Sequence, residues 1–231
     1  MSKLTHNGNI IPKSEIVKAI VSWICVGVPY FFGWVATFVT GIFVALTSEQ
    51  QKVHPQGKKI FSKHSDKYIA EGSSGEWEYR NSPYKILKWW NNYEDGTLGE
   101  PSGKHSARSK GKERSFVSQY MWTIRNPFNY AKRSLPLFHC KVNDCDIEYW
   151  GDFEISDKEE GQGGWHFCKA TNRINGKVYY WYRSVENIGG GKVKVAAIGF
   201  KIKPSHALSV QDGDDEDKAF TVRLPVPSNV D

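Results

Sequence analysis

The feature that most constrains this chain is a long stretch without charge. Thirty consecutive residues, Ala19 to Ser48, carry no charged side chain, and Lys18 and Glu49 close the run. A helix of that length rises about 45 Å against a hydrocarbon core of about 30 Å, so one tilted span fits and two full spans do not. The run therefore predicts one N-terminal transmembrane helix over residues 19–48, and its length disfavours a cleaved signal peptide.

Small and helix-breaking residues recur inside this run. Pro29 removes a backbone hydrogen bond beside Gly27 and Gly33, which leaves open a kinked span or a short re-entrant hairpin. Gly33, Thr37 and Gly41 follow at four-residue spacing, which lets a second helix backbone approach closely. Self-association of the helix through this face is one hypothesis, and the alternative is that small residues are simply common in membrane helices.

Flanking charges and cysteines indicate the orientation. Three lysines precede the run, and five (Lys52, Lys58, Lys59, Lys63 and Lys67) follow within about twenty residues, so the positive-inside tendency predicts a single-pass protein with a cytoplasmic C-terminal domain. Four cysteines, one of them inside the run, leave three in the polar remainder, which favours a reducing compartment.

Composition excludes two classes of protein. An aromatic content of 14% excludes a disordered chain, which lacks that much apolar surface. A mean hydropathy of −0.53 excludes a transporter with many spans. The net charge of +6 is compatible with contact to anionic lipid or nucleic acid and equally with solubility alone.

The pattern after the run predicts an α+β fold: the N-terminal transmembrane helix, then a small antiparallel β-meander domain with one or two covering helices. Four strands are expected, with reversals at Asn175-Gly176 and Gly189–Gly191. The predicted strands are Ile147–Ile155, Trp165–Thr171, Lys177–Ser184 and Lys192–Lys203. The predicted segments are a polar N-terminal tail (1–18), the helix (19–48), a juxtamembrane linker (49–75), a helical and loop region with a basic insert (76–135), the β domain (136–205) and an acidic, proline-containing tail that is flexible or lies at a sheet edge (206–231).

The region between linker and β domain contains three notable segments. Tyr84–Trp90 has the composition of a piece resting at a lipid interface or packed on the domain core. An apolar stripe over Phe116–Ile124 predicts an amphipathic helix that covers the sheet. Between them a basic segment is compatible with lipid phosphates or nucleic acid, or with a solvated loop. Its cations are Lys104, Arg108, Lys110, Lys112 and Arg114.

A group of soft ligands raises the question of a metal. His139, Cys140 and Cys145 lie close in sequence, and His166 with Cys168 follows on a neighbouring predicted strand. A structural zinc ion needs four such ligands; the alternative is that these are reduced cysteines and histidines among core side chains. The chain contains no glycine-rich phosphate loop, no Gly-x-Ser-x-Gly and no His-Glu-x-x-His, so no motif argues for an enzyme or for another cofactor.

Several short motifs together resemble a known family. They are Trp89-Trp90, the segment Tyr120–Pro127, Tyr149-Trp150-Gly151-Asp152, Gly164–Phe167 and a hairpin from Gly176 to Trp181. This arrangement is similar to a family of uncharacterised tailed-bacteriophage proteins, which join an N-terminal hydrophobic stretch to a small tryptophan-rich β domain. The resemblance implies a phage-encoded product that sits in the host inner membrane or is carried in the particle.

We therefore expect a non-enzymatic, membrane-anchored phage protein whose β domain binds a host or phage partner. Its candidate contact residues are aromatic, and within Tyr179–Tyr182 alternate side chains must point to opposite sides of a sheet. The candidates are Trp150, Trp165, Tyr179, Tyr180, Trp181 and Tyr182, and the alternative is that both sides are core. A second expectation is a minor virion or DNA-delivery component whose apolar segment is sheltered in the particle.

Overall fold

The computed structural model describes most of the two ends of the chain and parts of its middle: residues 2–47, 49–52, 78–81, 84–90, 116, 120, 123–124, 135–157, 163–211 and 217–229. These residues divide into two compact units. The sheet unit comprises Met1–Val28 and Leu135–Asp231, and the inserted unit comprises Pro29–Ser134.

One long helix, α1 (Lys13–Thr47), contains the apolar run. It begins at Lys13 rather than at Ala19, because the Pro12 carbonyl accepts hydrogen bonds from the amides of Glu15 and Ile16 and so starts the first turn. Glu15 in that turn also suits the positive end of the helix dipole. Pro29 lies inside α1, and the helical assignment continues through it without a break.

The sheet unit is built on a mixed sheet of seven strands. The strands are β1 (Leu4–His6), β4 (His139–Lys141), β5 (Cys145–Gly151), β6 (Gly164–Asn172), β7 (Val178–Gly189), β8 (Lys192–Phe200) and β9 (Asp217–Asn229). The remaining two described strands, β2 (Glu49–Lys52) and β3 (Glu78–Asn81), pair with each other in the inserted unit. The spatial order is β1-β5-β6-β7-β8-β9-β4. The α+β class and the central meander β5 to β8 are confirmed.

The sheet differs from a purely antiparallel one at its N-terminal edge. β1 runs parallel to β5, with Leu4 opposite Ile147 and His6 opposite Tyr149. Three residues in a polar segment carry too little periodicity to predict a strand. Pairing with β5 satisfies their backbone groups, so the tail expected over residues 1–18 contains both a strand and the start of α1.

The C-terminal segment also forms a strand. β9 takes up residues 217–229 of the segment assigned to an acidic tail, and it pairs with β8 along most of its length. Pro225 and Pro227 argue against a central strand, because proline cannot donate to a ladder. They are tolerated here because β4 pairs only with residues 217–219, which leaves the later part of β9 at the edge of the sheet.

The first half of α1 packs against one side of the sheet and completes its core. Ala19 is fully buried among Trp150, Phe167 and Tyr180. The indole N–H of Trp23 donates to the backbone carbonyl of Tyr180 at 3.2 Å. We call this the helix side of the sheet; the covering helix of the sheet unit is therefore the start of the apolar segment itself.

Polar contacts fix the same docking at the start of the helix. The Tyr180 hydroxyl donates to a carboxylate oxygen of Glu15 at 3.1 Å, and Lys18 donates to the other oxygen at 2.8 Å. Lys169 lies 3.9 Å from Glu15 and donates to Glu148 at 2.9 Å. The register of α1 on the sheet is thus held by charge and hydrogen bonds as well as by apolar burial.

A glycine permits this close approach. Gly199 of β8 has a φ of +111°, and a Cβ atom there would collide with the Tyr180 carbonyl oxygen and lie 2.7 Å from the Trp23 indole nitrogen. Both the backbone conformation and the space therefore require glycine.

We predict that Gly199→Ala destabilises the sheet unit by more than about 2 kcal/mol, because the methyl group adds a collision to the strain of a positive φ. Gly176→Ala is the matched control, since Gly176 also has a positive φ (+71°) but no atom lies within 4 Å of its Cβ position. It should cost about 1 kcal/mol. Urea unfolding in mild detergent, followed by tryptophan fluorescence, measures both, and equal losses would contradict the docking of Trp23.

Candidate functional site

α1 has an extended apolar surface. Fifteen of its large apolar side chains, from Ile16 to Leu46, are more than a third exposed, with Phe32 and Leu46 at 66%. Among the described residues, α1 is the one helix long and apolar enough to cross a membrane. A continuous apolar surface of this size marks a site that lipid or protein covers.

The small-residue face of α1 is in contact with later parts of the chain. Thr37 is 1% exposed and donates to the carbonyl of Gly33 at 2.8 Å. The same carbonyl accepts from the indole N–H of Trp90, at 3.3 Å, which belongs to a short 3-10 helix over Lys85–Trp90. Part of the Tyr84–Trp90 segment thus packs on α1, while Ile86 is 79% exposed.

A second contact lies one turn further along α1. The described residues Phe116, Tyr120, Thr123 and Ile124 are helical, as predicted for Phe116–Ile124. Tyr120 donates its hydroxyl to the Phe38 carbonyl at 3.1 Å, and side-chain atoms of Tyr120 and Thr123 lie 3.4 Å from the Cβ position of Gly41. The close approach expected at Gly33, Thr37 and Gly41 is therefore used within the chain, and pairing with a second copy stays a prediction.

The residues before α1 are hydrogen-bonded to the β domain. The Ile147 amide donates to the Lys3 carbonyl at 2.8 Å, and the Asn7 amide donates to the Tyr149 carbonyl at 2.9 Å. The N-terminal residues and the β domain therefore belong to one sheet, whereas the lysine pattern predicts a membrane crossing between them.

On the side of the sheet away from α1 lies a cationic cleft of about 240 Å³. Trp181, Val195 and Ala197, all buried, supply apolar lining. The polar and charged lining comes from β7, β9 and the segment after β8, namely Arg183, Lys201, Lys203, Thr221 and Arg223. We call these eight residues the basic cleft.

One carboxylate organises two of the cleft cations. Asp157 accepts from Arg183 at 2.7 Å with one oxygen and from Arg223 at 2.9 Å with the other. Burial raises the pKa of Asp157, but the two guanidinium groups outweigh it and lower the pKa below its usual range. Asp157 thus stays ionised and holds the two arginines side by side.

Burial and nearby cations lower the pKa values of two histidines near the cleft. Burial, followed by the charge of Arg183, lowers the pKa of His166 to about 4. Burial, with Lys218 and Lys203, lowers the pKa of His206 to about 3. His206 Nδ1 accepts the Lys203 amide at 3.0 Å, so the neutral ring is the form that fits.

The five candidate zinc ligands are not brought together. Cys140 and Cys145 meet, with their sulfur atoms 3.7 Å apart, and both are fully buried. His139 instead lies with Nδ1 3.0 Å from the Leu135 carbonyl, while His166 and Cys168 are buried in β6. In the described part of the chain no group of three or more such side chains is placed to hold a metal. The basic segment from Lys104 to Arg114 lies outside the described residues.

The aromatic candidates divide between the two sides of the sheet and are mostly core. Tyr180 and Tyr182 belong to the helix side with Trp150, and Trp165 packs against the same cluster. On the other side the Tyr179 ring meets Phe200 at 5.0 Å, and Trp181 lines the basic cleft. Trp150, Tyr179, Tyr180 and Trp181 are each at most 8% exposed. Their main role is therefore to fill the core.

The sequence did not single out the basic cleft, because its cations come from separate segments. Lys201 and Lys203 alternate with buried Ile202, a signal of two side chains on one face, but Arg223 joins them only through β9. Without that strand the three have no common surface.

We predict that the folded protein loses stability as the pH falls below about 6.5. The folded protein lowers the pKa to about 4 for His166 and to about 3 for His206. Between these values and about 6.5, the two histidines bind protons in the unfolded chain but not in the folded protein. Each ring then lowers the free energy of unfolding by up to about 1.4 kcal/mol per pH unit. Urea unfolding at pH 7.5, 6.0 and 5.0 measures the slope. His206→Asn, which retains an acceptor, should give a shallower slope, and an unchanged slope would contradict the assignment.

Comparison with known proteins gives one match. No curated protein and no solved structure matches the chain. The profile of a family of unknown function matches residues 15–226, which include α1 except its first two residues, and β2 to β9 except the last residues of β9. The chain therefore belongs to the family of unknown function DUF7338.

Proposed function

We propose that this protein is a membrane-anchored, non-enzymatic binding protein, in which the second half of α1 inserts into a bilayer and the sheet unit is presented at its surface. The observation that carries the proposal is the exposed apolar surface of α1. Fully burying such a side chain is worth about 1.5–3 kcal/mol, so the ten of them from Val28 to Leu46 strongly favour a lipid or protein covering over water.

The length of the second half of α1 supports insertion. Residues up to Val26, which is 6% exposed, contribute to packing in the sheet unit. This leaves Val28–Thr47, twenty residues that rise about 30 Å, the thickness of the hydrocarbon core. The segment contains no charged side chain.

The chain returns to the side on which it began. Because β1 and β5 share one sheet, residues 28 and 135 lie on the same side of the membrane. Any part of the chain that enters the bilayer between them therefore returns to that side. The contacts of Trp90 and Tyr120 with carbonyls of α1 support a hairpin in which later segments pack along the inserted helix. Such packing also satisfies polar side chains where water is absent.

The biological setting rests on the sequence resemblance. On this basis, the protein acts in a bacterial host and is located in the host inner membrane. The sheet unit binds a host or phage protein. The alternative is a particle component in which protein, rather than lipid, covers α1.

Alkaline washing of bacterial membranes tests the anchor. We expect the wild-type chain to stay in the washed membrane. Val35→Arg with Val39→Arg should move it to the wash, because each arginine near the helix centre costs about 2.5–3.5 kcal/mol of insertion. These two valines are 43% and 61% exposed.

The matched control adds two arginines elsewhere. Ile174→Arg with Ile188→Arg changes side chains that are 78% and 41% exposed in the sheet unit, and it should leave the chain in the membrane. Release of the wild-type chain would contradict the anchor and favour the particle component.

A further inference from the structure

Two buried thiols lie against each other between strands from opposite parts of the sheet. The sulfur atoms of Cys140 in β4 and Cys145 in β5 are 3.7 Å apart, and both residues are fully buried. β4 is the last strand in the spatial order of the sheet, and β5 is the second. Only the short 3-10 turn Val142–Asp144 separates them in sequence. The thiol contact therefore lies where the sheet curls back on itself.

The separation of the two sulfur atoms is small enough for a covalent bond. A disulfide bond is about 2.05 Å long, so the atoms, now 3.7 Å apart, must approach by about 1.7 Å. Each sulfur atom then moves by less than about 1 Å, which a modest rotation of each side chain provides. Neither strand has to leave the sheet for such a movement.

The contact makes the two thiols chemically unequal. The hydrogen bond with Cys140 lowers the pKa of Cys145, while the same contact, together with burial, raises the pKa of Cys140 well above its usual value. Cys145 is therefore the thiol that ionises first. Because the thiolate is the form that attacks a disulfide, Cys145 suits the role of the attacking sulfur.

A third buried cysteine serves as a comparison. Cys168 of β6 is also fully buried. Burial alone raises the pKa of its thiol, with no contribution from another cysteine. The pairing of Cys140 with Cys145 is thus not a general consequence of burying cysteines in this sheet.

We propose that Cys140 and Cys145 form a reversible disulfide bond that joins β4 to β5, by exchange with a small-molecule disulfide such as oxidised glutathione. The Cys145 thiolate attacks one glutathione sulfur, which forms a mixed disulfide and releases one glutathione thiolate. The Cys140 sulfur then attacks the Cys145 sulfur, which forms the internal bond and releases the second glutathione thiolate. The two thiol protons pass to the two glutathione thiolates, so the cysteine pair loses two electrons and glutathione gains them.

The bond would strengthen a weakly attached strand. β4 pairs with β9 from His139–Ala219 to Lys141–Asp217 and is short. A covalent bond to β5 adds a second attachment. The factor by which folding favours the disulfide is, by linkage, the factor by which the disulfide favours folding.

The redox state of the pair would depend on the compartment that contains the sheet unit. Disulfide bonds persist in oxidising compartments and are rare in the cytosol. Both cysteines belong to the sheet unit, so the inference stands whether or not α1 enters a membrane.

The test uses the full chain in neutral detergent, equilibrated with mixtures of reduced and oxidised glutathione, both folded and unfolded in urea. Trypsin cleaves after Lys141, between the two cysteines, so the disulfide joins two peptides that reduction separates. Mass spectrometry after alkylation measures the joined fraction. We expect an equilibrium constant for the disulfide that is at least about tenfold larger in the folded chain, because the fold holds the thiols together.

Two results would overturn the proposal. One is an equilibrium constant in the folded chain that is equal to or smaller than that in urea. The other is an end product in which glutathione stays attached to either cysteine. Because both sulfur atoms are buried, exchange requires a local opening of the fold. Equilibrium is therefore approached from the reduced chain and from a chain oxidised in urea before refolding, and failure of the oxidised chain to refold would also contradict the bond.

Substitutions assign the sulfur atoms. Cys140→Ser removes the second thiol, so a mixed disulfide of glutathione with Cys145 should accumulate. The matched controls are Cys168→Ala, at the other fully buried thiol of the sheet unit, and Cys25→Ser, at an exposed position of α1. Both controls should leave the equilibrium constant of the Cys140–Cys145 bond unchanged. A disulfide from either member of the pair to Cys168 or Cys25 would overturn the assignment.

Discussion

The structure depends on the docking of the first half of α1 onto the sheet. Ala19 and Trp23 occupy positions that a separate core helix would fill in another α+β domain, and Glu15 joins Tyr180 and Lys169 at the start of the same helix. The apolar segment is therefore both part of a folded core and, further along, an uncovered surface.

The two sides of the sheet are chemically different because of this docking. The helix side is closed by α1 and aromatic rings. On the opposite side the described residues form a cleft at Trp181, and cations from three segments gather there. Alternate side chains of β7 point to opposite sides of the sheet, so this strand supplies aromatic rings to both cores, from Tyr179, Tyr180, Trp181 and Tyr182. This explains why the sheet needs so many aromatic residues.

Local patterns predicted the elements that carry strong local signals. The uncharged run predicted α1, and the turns at Asn175-Gly176 and Gly189–Gly191 set the meander from β6 to β8. β1 and β9 were missed because distant partners, not their own composition, decide their pairing. The partners of β1 lie more than a hundred residues away, and those of β9 in β8 lie about twenty to forty residues away. The basic cleft was missed for the same reason, since Arg223 reaches Asp157 only after β9 has joined the sheet. The cysteine and histidine cluster was the reverse case: closeness in sequence brought Cys140 and Cys145 together, but among the described residues it did not bring three ligands together.

The most direct measurement is the sidedness of the two ends of the sheet unit in a membrane. Asn9→Cys and Ile174→Cys, both at exposed positions, are made separately in a Cys25→Ser background, where the remaining three cysteines are fully buried. A membrane-impermeant maleimide is then applied to right-side-out and inverted vesicles. We expect both positions to be labelled in the same vesicle orientation. Labelling in opposite orientations would contradict the pairing of β1 with β5 and restore a single crossing.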